Sequence, residues 1–594
     1  MRGAWIVYAP APMRPPTLLA LLSLAAACTG NLSDGGLDAG DAAPDIAADP
    51  TPIDAPRADA PRADTPRADT PRVDAPRADV GNDVRADVGN DVRADVSGDV
   101  PSADVPRSAG DLQVLPPVGM VSARQVPAVA IGSGVRAFPG AEGFGAAATG
   151  GRGGRVIYVT TTAERGPGSI TEALEAAGPR YILFKVSGLI DLSARIPRGD
   201  VTIAGQSSPG GVVLRGLFAD ENPFCDSRCG AGVTGVHNVV VRHLRSRPSF
   251  RGSNGNIDGD GVRLRHMRNV IVDHVSSGDA TDEAFEISYS SNITVQDSIL
   301  GETVGDHADR GGMLINYSNP VGGYPLDAIA VIRTVWVRSR GRYPEIARDS
   351  VADVGQTLRA ELANNLVWGQ DRYVETGHFA GVFGDPAGPA YHQLNWVGNV
   401  GVVTPTFPYG MLWFENPSGR STGYFLDNYL SRYASRADHQ LNYCCDDFAV
   451  APSPTRPAWA RAARHPFPAV TYLPSTEVRR YVLAHAGAFP RDPMDRRLMG
   501  YVAAGVLPGD AWNVNPAGDV WRADWTTAPA PPADGDNDGM PDAWERARGT
   551  DPARADHLGL TVGNATPGLA GYPNLEVYLH ELAQQRLTEG PWGR

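Results

Sequence analysis

Lysine is nearly missing from this chain of 594 residues: Lys185 is the only one, and arginine supplies every other permanent positive charge. Chemistry that needs an ammonium group therefore has a single candidate. Cysteine is scarce as well, with five in all. Four of them, Cys225, Cys229, Cys444 and Cys445, come without a histidine spacing that would suit zinc, so loop disulfides in an exported protein are the expectation. Helical periodicity is rare, with Thr171 to Ala177 as one short exception. No apolar run is long enough to span a bilayer. The net charge of -14 is unevenly spread, because residues 37–108 hold 16 Asp against 8 Arg and so account for -8 of it. Overall acidity therefore does not exclude an anionic partner, since the local field is what a ligand meets. A nucleic-acid partner is not expected.

What is present at the N-terminus is a leader. Met13-Arg14 is followed by an apolar run from Leu18 to Ala27 that ends at Cys28. A charged start, a short apolar stretch and small residues before a cysteine have the form of a bacterial lipoprotein signal. Residues 1–28 are expected to direct export, with Cys28 lipidated. The expected location is secreted or cell-surface, with membrane contact only through that anchor. Residues 29–125 are Pro-, Ala- and Asp-rich, with Ala-Pro-Arg-Ala-Asp repeats from Ala55 to Asp79. Proline every five residues forbids a helix, and too few large apolar groups are present to offset chain entropy. A disordered, extended tether is the expectation.

From Val126 onward, short β-branched runs recur after asparagine. They are His237-Asn238-Val239-Val240-Val241, Asn269-Val270-Ile271-Val272 and Asn292-Ile293-Thr294-Val295, with weaker copies at Ala328-Ile329-Ala330-Val331 and Asn365-Leu366-Val367. Strands returning at roughly 23 to 36 residues without long helices between them suit the stacked coils of a parallel β-helix. The asparagines that open them are placed to form a ladder, a structural role. An all-β catalytic domain over 126–525 follows.

Three blocks then carry a family resemblance. Phe138-Pro139-Gly140-Ala141-Glu142-Gly143-Phe144-Gly145 is followed by Thr149-Gly150-Gly151-Arg152-Gly153-Gly154. Next come Gly166-Pro167-Gly168-Ser169-Ile170 and Gly178-Pro179-Arg180-Tyr181-Ile182-Leu183-Phe184. The last is Val201-Thr202-Ile203-Ala204-Gly205-Gln206 with Ser208-Pro209-Gly210-Gly211. This resembles the pectate lyase family, in its secreted bacterial branch of right-handed parallel β-helices.

Val272-Asp273-His274 resembles the family's Asp-His strand end, and Asp282-Glu283-Ala284-Phe285-Glu286-Ile287 its Asp-x-x-x-Asp strand. In an extended strand Asp282, Ala284 and Glu286 would share one face. The resemblance implies that Asp273, Asp282 and Glu286 are the primary calcium ligands, with Glu286 standing where Asp is usual. Arg342-Tyr343-Pro344 resembles the family's Arg-x-Pro, which assigns Arg342 as the base. Arg310, Arg340 and Arg348 are candidate substrate-binding residues. Around Arg342 the pattern departs from the family: Arg333-Thr334 replaces His-Asn, and Glu345 stands where a second arginine is common.

Residues 530–594 form a second unit. Asp534, Asp536, Asp538, Asp542 and Glu545 occupy positions 1, 3, 5, 9 and 12 of a twelve-residue loop with Gly539 at position 6. That is the EF-hand calcium pattern. Gly571-Tyr572-Pro573-Asn574-Leu575-Glu576 reads as a partner half without its leading aspartates. The expectation is a monomeric, calcium-dependent enzyme acting on an acidic polysaccharide such as pectate. The rivals are a glycan-binding β-helix without catalysis and a lyase on another uronate polymer.

Overall fold

The computed structural model describes residues 124–125, 134–219, 235–248, 259–304, 311–339, 341–348, 351–370, 381–382, 390–414, 420–443, 454–508 and 525–589. The β-branched runs form strands of a right-handed parallel β-helix, the hand that parallel crossover connections take almost without exception. The first face runs Arg155–Val159, Arg180–Phe184, Val201–Ala204, Val236–Arg242, Met267–Asp273, Ser291–Gln296, Asp327–Ile332, Thr357–Ala363, Tyr391–Val397, Thr422–Leu426 and Ala460–Arg461. A second sheet bends at the strand Val212–Ala219, which pairs with Arg245–Ser246 at one end and Val262–Arg265 at the other. It thereby supplies two more faces. The second face continues through Ser276–Ser277, Ile299–Leu300 and Val335–Val337. The third continues through Phe285–Ser288, Met313–Asn316, Glu345–Ile346, Gly381–Val382 and Leu412–Phe414.

Alternation along each strand sends one set of side chains inward. Val239, Val270, Ile293 and Ile329 of the first face meet Phe285, Ile287, Met313 and Ile315 of the third in one core. Fully burying each such side chain stabilises the fold by about 1.5–3 kcal/mol. Strand-opening asparagines form the expected ladder. Asn238, Asn269 and Asn292 hold φ of 57°, 56° and 57°, the left-handed region that asparagine tolerates. Asn292 Nδ2 donates to Asn269, Asn269 to Asn238, and Asn238 to Asp200. The run at Asn365 is a different feature. Leu366–Gln370 lies on the second face, and the first-face strand of that coil is Thr357–Ala363. Asn365 instead starts a separate ladder, with Asn399 and Asn428.

What covers each face decides where chemistry can sit. On the first face Phe138, Ala141 and Ala146 pack on Val240 and Ile271. The C-terminal unit covers the start of the same face, where Met540, Leu575 and Leu579 meet Tyr181, Leu183 and Ala204. Arg152 Nη2 reaches Glu576 at 2.7 Å and Tyr181 donates to the same carboxylate, fastening the helix Asn574–Glu589 to the first coils. The second face carries two helices over its apolar side chains. Val478 and Val482 of Ser475–His485 and Leu498 and Val502 of Pro493–Ala504 pack on Val335, Leu366 and Trp368. On the third face the row that holds Arg263, Glu286 and Glu345 is charged. Among the described residues no helix is long and apolar enough to cross a membrane.

Candidate active site

On the third face, registered pairing stacks Arg263, Glu286, Leu314 and Glu345 in one row. Asp260 enters that row from the turn before Val262–Arg265, and Asp282 and Glu283 from the turn before Phe285–Ser288. Asp260, Asp282 and Glu283 each place a carboxylate oxygen within 4.8 Å of the others. Burial, and then the charge of Glu286, pushes the Asp260 carboxyl well above its usual range, while Arg263 pulls the other way. Carboxylates forced together in a dry turn are what a hard divalent cation relieves, and their oxygen donors suit calcium. Arg263 Nε bridges Asp260 at 2.7 Å and Glu286 at 3.3 Å. Arg265 grips Glu286 bidentately at 2.9 and 2.7 Å. Burial works to raise Glu286, but these two guanidinium groups and Ser288 prevail and hold it below its ordinary value.

Arg342 joins this group from the turn before Glu345–Ile346. It donates to the Glu283 carboxylate, and its Nε donates to Glu345 at 3.1 Å. Gly311 gives it room, since a Cβ there would come within 2.6 Å of the Arg342 side chain. Among the described residues, its side-chain partners are two carboxylates, Glu283 and Glu345.

Several sequence expectations are corrected here. The strand begins at Phe285, and Ala284 is in the core, so Asp282, Ala284 and Glu286 do not share a face. Asp282 is in the carboxylate cluster, Glu286 stands beside it behind Arg263, and Asp273 belongs to another face. Asp273 ends a first-face strand in register with Gln296, with Arg242 Nε at 2.7 Å and Gln296 Nε2 at 2.8 Å. Burial works to raise its carboxyl, but His274 and Arg242 hold it far below the usual range. It lines a cavity of about 260 Å³, with Asp297, Arg333, Glu142, Gln584 and Leu587 also on its walls. Arg242 pairs with Asp273, and Arg333 bridges Glu142 and Asp297. His243 and His274 come close enough to Asp273 for a metal, yet their rings are stacked at 4.8 Å and 12°. Their lone pairs run parallel and do not converge on one ion. Arg348 is fully buried, with its guanidinium on Asp353 at 2.8 Å. Arg310 and Arg340, like Cys28, Cys225, Cys229, Cys444 and Cys445, lie outside the described residues.

The residues that sequence reasoning missed are Asp260 and Glu283. A signal existed: Asp260 Oδ1 accepts the Glu283 amide across 23 positions, the same step that joins Asn269 to Asn292. The two acids are one coil apart.

The C-terminal loop is a second cation-like group. Asp534, Asp536 and Asp538 place oxygens within 4.8 Å of one another, as do Asp538, Glu545 and Asp556. Glu545 is fully buried with no hydrogen-bond partner for either oxygen. Burial, then Asp538 and Asp536, pushes it up to about 7. Those unpartnered oxygens fit a bound cation. Asp542 does not join them: its carboxylate accepts the Gly535 amide at 2.7 Å, and Asp556 takes a place in the group. The loop leads into the helix Asp542–Arg548, but residues 528–533 form no helix before it, so the leading helix of an EF-hand is missing among the described residues. Tyr158 donates to Asp534, and Lys185 Nζ to Asn537 at 3.1 Å, tying the loop to the first coils.

No family model matches the chain. A protein named probable pectate lyase C from Aspergillus fumigatus is 31% identical over 457 residues, covering 75% of this chain and 93% of its own length. Its counterpart in Emericella nidulans is 30% identical over 460 residues, covering 76% and 93%. Among solved structures, Jun a 1, the major allergen of cedar pollen, aligns at a TM-score of 0.38 with 15% identity, over 59% of this chain and 92% of that one. A pectate lyase from Bacillus sp. N165, solved with trigalacturonate, aligns at 0.35 with 14% identity, over 59% and 99%. Alignments that weak add nothing to what the fungal relatives establish.

Proposed function

The chain belongs to the pectate lyase family, and on that premise we propose that it cleaves polygalacturonate by calcium-assisted β-elimination on the third face. The observation that carries this reading is the meeting of Asp260, Asp282 and Glu283 with Arg342 in one group. In β-elimination the C5 proton leaves, its electron pair forms the C4–C5 double bond, and the C4–O bond breaks toward the departing sugar. Calcium held by Asp260, Asp282 and Glu283 would neutralise the uronate carboxylate and stabilise the enolate-like charge. Arg342 is the group assigned to accept the C5 proton. Glu283 is shared between the carboxylate cluster and Arg342, so its engagement couples cation occupancy to the freedom of the guanidinium. Arg263 offsets the excess negative charge at the cluster's inner edge.

A second calcium is proposed at Asp534, Asp536, Asp538, Glu545 and Asp556, with a structural role. The N-terminal leader and Cys28 support export to the cell surface, where residues 29–125 would hold a monomeric enzyme away from its lipid anchor. A glycan-binding protein without catalysis is the rival, favoured by the pairing of Arg342 with two carboxylates. Incubation with polygalacturonate, with and without chelator, separates them. The lyase forms ultraviolet-absorbing unsaturated ends only with calcium. Binding without new chain ends would support the rival, and reducing ends without unsaturation would mean hydrolysis.

A further inference from the structure

Where the helix Pro493–Ala504 begins on the second face, arginines gather with fewer acids than would balance them. Arg247 takes both carboxylates, Asp492 at 3.3 Å and Asp495 at 2.7 Å. Arg245 Nε is left at 3.6 and 3.9 Å from the same two groups and makes no hydrogen bond. Arg491 gives Nη2 to the carbonyls of Val482 and Ala486, but its Nε and Nη1 are buried without a partner. Arg496, which is exposed, gives Nη1 to the Arg491 carbonyl, and among the described residues neither arginine has an ion pair. Arg245 and Arg491 are each only 2% exposed. Burial lowers both guanidinium groups, Arg491 to about 10, although nearby aspartates pull the other way. A buried cation without a partner is costly, so four guanidinium groups around two carboxylates call for an anion.

Space for one is present. Arg245, Arg491 and Arg496 line a cavity of about 260 Å³, beside Pro209, Val213 and Trp525. Arg245 Nη1 has no hydrogen-bond partner, its Nη2 being the nitrogen that reaches the carbonyls of Ala488 and Pro490. Gly211 makes room for Nη1, since a Cβ there would collide with it. The first turn of the helix adds positive partial charge at the same place.

We propose that this cavity is an anion site that takes the carboxylate of a single uronate ring, free or at a chain end. The planar fork of arginine matches a carboxylate, and charge-assisted bonds of this kind are the strong ones. Pro209, Val213 and Trp525 offer the sugar ring an apolar wall that an inorganic anion would not use. The volume falls below the roughly 300 Å³ at which sites for larger ligands begin, so it suits one ring. Its charge comes from arginine, so binding here needs no calcium. Lying on the second face, it does not compete with the carboxylate cluster on the third.

The choice of a uronate rests on the lyase reading above, and the test separates their failures. Binding is measured by calorimetry on the full chain carrying Asp260→Asn, with calcium present, so that the third-face site is disabled. The probes are galacturonate, galactose, inorganic phosphate and trigalacturonate. Galacturonate is expected to bind at least tenfold more tightly than galactose or phosphate. Arg496→Gln, an exposed change, should weaken it about fivefold with an unchanged melting temperature, and Arg245→Gln should weaken it further. If Arg245→Gln does not melt like its parent, Arg496→Gln alone decides. Trigalacturonate binding as tightly as the monomer assigns a chain end, and binding at least tenfold weaker assigns the free sugar; both uphold the site. No binding of galacturonate, phosphate binding more tightly than galacturonate, or an affinity untouched by Arg496→Gln would overturn it. Absence of unsaturated product from the wild type sinks the lyase reading instead, and product formation with no binding here overturns the anion site alone.

Discussion

Arg342 has two carboxylate partners, and its replacement is informative because charge and shape can be separated. Arg342→Lys keeps the positive charge but loses the planar fork that spans Glu283 and Glu345. As the proton acceptor, it should lose about 10²–10⁴-fold in kcat with KM within a few-fold of wild type. A KM that rises in step with the fall in kcat would make it a carboxylate clamp. Arg342 was singled out from Arg342-Tyr343-Pro344, and Asp282 and Glu286 from their strand, whereas Asp260 and the contact of Glu283 with Arg342 needed the folded chain. The resemblance of Val272-Asp273-His274 to the family's strand end suggested Asp273, yet its neighbours in space are Arg242 and Gln296 of the same face. A β-helix joins residues one coil apart, and the coil step from Asp260 to Glu283 is the guide the sequence offered.

At the scale of elements, the asparagine ladder and the C-terminal loop make separate predictions. Asn269 both donates to Asn238 and accepts from Asn292 while holding a positive φ. Asn269→Ala should destabilise the fold by about 2–4 kcal/mol, from the lost hydrogen bonds and the strained backbone. Asn269→Gly, which relieves the strain, should lose less, as chemical denaturation would measure. The ladder was readable because asparagine recurs at each strand start. The Asn365 run, a weaker copy of the same signal, lies on the second face, because the same residue type opens strands on two faces. In the C-terminal loop, Glu545 is pushed up to about 7 in the metal-free unit. A raised folded value means that the stability it lends is present below about 4.5 and is lost as pH climbs through about 7. Chelated protein should therefore expose the tail to protease more readily at pH 8 than at pH 5, and calcium should abolish the difference. Protease resistance at pH 8 without calcium would argue against a cation in the loop. The spacing of Asp534 to Glu545 was plain in sequence, but Asp556 follows no loop rule and needed the folded chain.

For the whole molecule, several histidines are buried neutral. Burial pushes His266 and His465 down to about 4, and holds His243 and His392 well below their usual value. A depressed folded value means stability that is present above the unfolded value near 6.5 and is lost as pH falls below it. Melting temperature should drop as pH is lowered from about 6.5 toward 4, and histidine-independent acid stability would show up as a flat curve over that window. The account as a whole depends on one assignment, that the cation site lies on the third face with Asp260 and not on the first with Asp273. Calcium titrations of lyase activity for Asp260→Asn and Asp273→Asn decide it. The prediction is that Asp260→Asn raises the half-saturating calcium concentration at least tenfold, while Asp273→Asn lowers the melting temperature and leaves that concentration unchanged. A calcium requirement shifted by Asp273→Asn and untouched by Asp260→Asn would contradict it.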